Sequence, residues 1–179
     1  VHEIIKRMLR EHQRIIFNGN GYSDDWLNEA ARRGLPSTRS MVDAIPALID
    51  PKTIEIFGRE HVLSEAELTS RAEVDYEIFT KTVNLEAKTM IDMVHTLYLP
   101  AVLRFEKDIA LSVKEVRDAL PEADISVQSG ILGKVTKLNA EVCHALQNLE
   151  NEVRIAGDIP KGKEQARYSQ DRVRPAMDR

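Results

Sequence analysis

Apolar positions along this chain recur at steps of three and four, the period of an amphipathic helix, and nowhere convincingly at a step of two. Ile4, Ile5, Met8 and Leu9 set a helical phase for residues 2–17, with Ile15 and Ile16 behind them. Asn18-Gly19-Asn20-Gly21 should stop that helix, because Gly and Asn tolerate the left-handed backbone that ends helices. Ser23 or Asp24 can cap a short helix through Arg33, with Trp26, Leu27 and Ala30 on one face and Gly34 and Pro36 closing it. Ser40 can cap a further turn over MVDAIPAL. Pro46, Pro51 and Gly58 predict irregular chain over residues 35–60, with little core of its own.

The pattern then lengthens. Ser64-Glu65-Ala66-Glu67 reads as a capping box, and Leu63 and Leu68 stand where a hydrophobic staple needs them. Ala72, Tyr76, Phe79, Val83, Ala87, Met90, Val94 and Leu97 form one stripe along a long helix. A weaker stripe of Val74, Ile78 and Leu85 predicts cover on a second face. Pro100 has no amide to donate and crowds the carbonyl four residues back, so a kink or break is expected near Leu99, with helix resuming to about Ala119. Pro121 opens a loop to about Val127. Val135, Leu138, Val142, Leu146, Leu149 and Val153 predict another long helix, ended by Gly157 and Pro160, and a last one starts near Lys163. The expected fold is all-α: a long antiparallel helical hairpin or bundle preceded by short helices and an irregular segment. The expected division is residues 1–60, then a helical bundle over residues 61–179.

Composition narrows the partners. The 179 residues suit one domain or slightly more, and a net charge of −4 gives no field that attracts nucleic acid non-specifically. Cys143 is alone and cannot form an internal disulfide, which makes cytoplasmic the expected localisation. The apolar run Leu97–Leu103 is far short of the roughly 20 residues that span a bilayer. VHEIIKRMLREH lacks the apolar run of a signal peptide, so no membrane partner is expected. Val1 already lies in helical phase with no capping residue before it, and the chain stops soon after Pro175. Both ends suggest a piece of a longer protein.

Three patterns could carry chemistry. Gly19-x-Gly21 ahead of a helix start resembles a phosphate loop, but Asp24 stands where a dinucleotide fingerprint needs a third glycine, and no P-loop lysine is near. Asp24 and Asp25 would also repel phosphate from that helix N-terminus. Glu141-x-x-His144 and Asp92-x-x-His95 match the ligand step of di-iron bundles. At about 100° per residue, however, both pairs fall away from the main apolar stripe of their helix. Cys143 and His144 are adjacent, so on a helix they point apart, and Cys143 has no helix N-terminus to activate it. The basic tail Lys161–Arg179 is interrupted by Glu164, Asp171 and Asp178, which makes it a salt-bridged face. No catalytic, cofactor-binding or metal-binding residue is assigned.

Several longer runs nevertheless carry a resemblance. REHQRIIFNGNGYSDDWLNEAARRGLP (10–36), HVLSEAELTSRAEV (61–74), TKTVNLEAKTMIDM (80–93) and LPAV (99–102) resemble, in this order, the region that follows the catalytic core in type III glutamine synthetases. The similarity covers residues 2–105, fades over 110–157 and partly returns at QARYSQDRVRPAMDR. Two departures stand out: Ala72 follows Arg71 where the family commonly has Tyr, and Glu60-His61 precedes Val62 where it commonly has His-Gly. The resemblance implies a parent enzyme, a glutamate–ammonia ligase, that phosphorylates glutamate with ATP and lets ammonia displace the phosphate. It would use Mg2+ or Mn2+ and would assemble as stacked homo-oligomeric rings. None of the family's metal, ATP or glutamate residues maps onto this chain. The piece itself is then expected to be architectural or regulatory and inactive alone, with its own upstream core and neighbouring subunits as partners. Two other readings stay open, a stand-alone helical interaction module and a di-iron-type bundle.

Overall fold

The computed structural model describes residues 1–178, and among them there is helix and no strand. The chain forms two compact units, residues 1–44 and the chain from Ile45 onward.

In the first unit, α1 (His2–Glu11) runs into a single 3-10 turn, Gln13–Ile15. The turn after it is built by its own side chains. Asn20 Oδ1 accepts from the Tyr22 amide at 3.0 Å, and Ser23 Oγ donates to the Asn20 carbonyl at 2.8 Å. Ser23 thus holds the N-cap position of α2 (Asp24–Arg32), but its hydroxyl closes the loop instead of capping the helix. The end of α2 follows expectation. Gly34 takes φ +67°, and Leu35 N–H reaches back to the Ala30 carbonyl at 2.9 Å, the six-to-one bond of a Schellman stop. Ser40 caps α3 (Met41–Ala44) by accepting from the Asp43 amide at 3.1 Å.

The second unit begins with a correction. Residues 35–60 were expected to be irregular, yet α3 is followed by a 3-10 turn (Ile45–Ile49) and by α4 (Pro51–Arg59). Proline is compatible with a helix where no amide is needed, and Pro51 sits in the first turn of α4. Asp50 supplies the cap, accepting from the Lys52 amide at 2.9 Å. His61, at φ +54°, ends this stretch, with the Val62 amide on the Phe57 carbonyl at 2.9 Å.

Helix α5 (Glu65–Met93) starts with the expected capping box: Ser64 Oγ accepts from the Glu67 amide at 3.3 Å, and Glu67 Oε2 accepts from the Ser64 amide at 2.8 Å. These bonds hold the Glu67 carboxyl below its ordinary pKa. Leu68, Ala72, Tyr76, Thr80, Val83 and Ala87 are buried along one side. The second stripe is open, with Val74 49%, Ile78 51% and Leu85 69% exposed.

Pro100 does not break the helix. A wide π turn, Val94–Tyr98, carries α5 into α6 (Leu99–Ala119). There the Leu99 amide donates to the Val94 carbonyl, five residues back, and the wider coil makes room for the proline ring. After a short loop α7 (Ser126–Asp158) returns antiparallel to α6. The chain then turns through Gly162, at φ +107°, into α8 (Lys163–Tyr168). A second π turn, Ser169–Val173, leads to α9 (Arg174–Met177) and again precedes a proline, Pro175. Val83, Ala87, Leu149, Ala156, Val173 and Ala176 form the core, so α5, α7 and the C-terminal segment pack around one shared core. All of this lies at the base of the hairpin. No residue of α6 is buried.

Candidate functional site

In the Gly-x-Gly loop, Gly19 lies against an aromatic ring and Gly21 is open. A Cβ on Gly19 would come within 2.6 Å of the Phe17 ring, so this glycine lets the backbone pass close against that ring. Phe17 in turn packs on Trp26, ring centroids 4.7 Å apart. Arg33 donates to the carbonyls of Arg14 at 3.1 Å and Ile16 at 2.7 Å, and with Arg32 it grips Glu29, whose pKa falls to about 2. These groups tie α2 to the strand of chain before it.

The two Glu/Asp-x-x-His steps do not converge. Glu141 lies 3.9 Å from Lys137 in an exposed i,i+4 pair, and His144 is exposed on the same helix. His95 Nε2 bonds to Glu150 Oε1 at 2.7 Å across the hairpin, while Asp92 faces solvent. Among the described residues no group of three or more His, Cys, Asp or Glu side chains could hold a metal ion. This donor set does not fit a divalent-metal site. Cys143 is half-buried within α7.

One charge is buried that the apolar pattern does not single out. Glu152 is 4% exposed on α7. It accepts from Tyr168 Oη at 2.6 Å and from Arg172 Nη2 at 2.8 Å. Arg172 and Tyr168 together hold the Glu152 carboxyl below its ordinary value, and the carboxylate raises the Tyr168 phenol. A carboxylate with both partners on one short segment acts as a clamp on that segment. The visible signal was Tyr168 and Arg172 at an i,i+4 spacing, which puts both on one face. Nothing in the sequence said which acid they would meet.

Apolar side chains lie open in two places, along α1, where Ile4, Ile5, Met8 and Leu9 are all exposed, and on the outer half of the α6–α7 hairpin. Phe105 is 51% exposed, Ile131 44%, Leu138 49% and Val142 45%. A groove lined by Met90, Val94, Leu138, Val142, Leu146 and Met177 runs from the core toward them. No described helix is long and apolar enough to cross a membrane. This apolar surface has the character of a protein contact face.

Comparison with known proteins agrees with the resemblance in sequence. A family model described as the glutamine synthetase C-terminal domain matches residues 1–117. A glutamine synthetase of Butyrivibrio fibrisolvens is 32% identical over 178 residues, covering 99% of this chain and 25% of that protein. A type-3 glutamine synthetase of Dictyostelium discoideum is 41% identical over 114 residues, 64% of this chain and 16% of that protein. A glutamine synthetase of Bacteroides fragilis (strain YCH46) is 26% identical over 187 residues, 98% of this chain and 25% of that protein. The chain therefore spans a quarter or less of the length of these relatives. With the model covering well over half of its residues, the chain belongs to the glutamine synthetase C-terminal domain family.

Proposed function

We propose that this chain is the C-terminal helical portion of a glutamine synthetase and that it serves assembly or regulation instead of catalysis. The longer protein would ligate ammonia to glutamate using ATP and Mg2+ or Mn2+, all bound in the part upstream. Residues 1–60 would pack on that catalytic core, residues 61–179 would form the helical extension, and neighbouring subunits of a homo-oligomeric ring would be its partners in the cytoplasm. The family match over residues 1–117 carries the reading. The open apolar face of the hairpin favours an assembly role, since exposed Phe105, Leu138 and Val142 gain most by burial against a protein surface.

The test is a direct assay of glutamine formation from glutamate, ammonia and ATP. The 179-residue chain should give none, and the longer protein should give turnover under the same conditions. ATP-dependent turnover by the chain alone would refute the reading. So would a longer protein that lacks the activity.

A further inference from the structure

We infer that residues 163–177 act as a detachable strap, folded only while docked on α5 and α7, which lets go as one piece while the rest of the second unit stays folded. The inference does not rest on the assembly reading above. It adds an order–disorder switch to this chain.

The segment cannot hold its own shape. Helix α8 has six residues and α9 has four, joined by the π turn Ser169–Val173. Isolated helices shorter than about 12 residues are marginal in water, because the first turn fixes several residues for one hydrogen bond. The helices of the strap therefore depend on docking. Little apolar bulk does that docking. The side chains it buries are Ala166, Ser169, Val173 and Ala176, and only the valine is large. Tyr168 and Met177 add half-buried contacts at the margin of the core. Burial stabilises in proportion to apolar area, and ordering the backbone costs conformational entropy at every residue, so this balance is narrow.

Polar contacts supply the rest. Glu152 accepts from Tyr168 Oη at 2.6 Å and Arg172 Nη2 at 2.8 Å, and Gln165 Nε2 donates to the Ala156 carbonyl at 2.8 Å. The groove at Glu152 is walled on one side by Asn148 of α7 and on the other by Asp171, Arg172, Pro175 and Ala176 of the strap. When the strap leaves, that wall leaves with it, and the carboxylate meets water instead of staying buried without a partner. Separating an ion pair is far less costly when both members become hydrated. The hinge is short and local. Only Ile159–Gly162 joins the strap to α7, and Gly162 at φ +107° lets the chain turn there. What remains has contacts of its own: α5 packs on the 3-10 turn Ile45–Ile49, α7 pairs with α6, and α5 touches α7 directly.

The experiment is hydrogen–deuterium exchange of the 179-residue chain, read by peptide mass across a urea series below the unfolding transition. After correction for intrinsic rates, amides of residues 164–177 should exchange about tenfold or more faster than those of residues 80–90 in α5, and with a shallower urea dependence. Glu152→Ala should speed exchange of the strap about tenfold or more. Ser64→Ala removes the α5 cap, which stays intact when only the strap opens. It should speed residues 80–90 and leave the strap unchanged. The urea series of the unaltered chain decides by itself if Glu152→Ala does not fold. Equal rates and equal urea dependence in the two segments overturn the inference. So does a Ser64→Ala chain in which both speed up alike, or a folded Glu152→Ala chain whose strap exchanges no faster.

Discussion

Replacing Glu152 with Ala removes the acceptor that both Tyr168 and Arg172 use, and leaves a half-buried phenol hydroxyl without that partner. The expected cost is about 2 kcal/mol in denaturant unfolding, below the range for a fully buried pair because the Arg172 side chain is 60% exposed. The clamp also has a pH signature. The Glu152 carboxyl lies below its ordinary 4.5 in the folded chain, so its contribution is full above that value. It is lost as pH falls through the lower folded value, and Glu152→Ala should lose less stability than wild type over that acid window. Position 61 gives a prediction of opposite sign. His61 sits at φ +54°, where a β-carbon is strained and glycine is not. His61→Gly should raise stability by about 0.5–1 kcal/mol in the same measurement. At this scale the sequence was only partly legible. Ser40, Ser64 and Gly34 announce their roles through local spacing, whereas the pairing of Glu152 with Tyr168 and Arg172 depends on how α7 meets a segment 16 to 20 residues away.

Among the elements, α5 and α6 behave as one long helix because the π turn Val94–Tyr98 absorbs Pro100. If the proline broke the helix, Pro100→Ala would add helical signal near 222 nm. With the wide turn in place, the structure predicts no measurable gain in helicity, and stability unchanged or raised by less than about 1 kcal/mol. The same device precedes Pro175, two residues after the end of the turn Ser169–Val173. The extra residue shifts the phase by about one stripe width, so the half-buried line steps by five from Val94 to Leu99 and leaves Leu97, the expected next member of the stripe, exposed. The capping box at Ser64, by contrast, was readable from four letters, since all of its partners lie within one turn. Helix α4 is hidden from the pattern because Pro51 resembles a breaker, whereas its place after Asp50 makes it a starter.

For the whole molecule, the long hairpin and the all-helical class followed from two apolar stripes. How much of each stripe would be covered did not, because that depends on where the C-terminal segment lies. It reaches Met177 against Leu146 and Leu149 and leaves Leu138 and Val142 open. The candidate site was legible only as a family likeness, and its chemistry, on the proposed reading, belongs to the part of the protein upstream. On the proposed reading, this extension contributes to the assembly of the longer enzyme. The most direct test is the particle mass of the longer enzyme after residues 101–143 are replaced by a short glycine linker, which spares the core of Val83, Leu149 and Val173. The expected result is a smaller particle whose remaining helices still unfold cooperatively. A particle differing only by the mass of the deleted residues would contradict it.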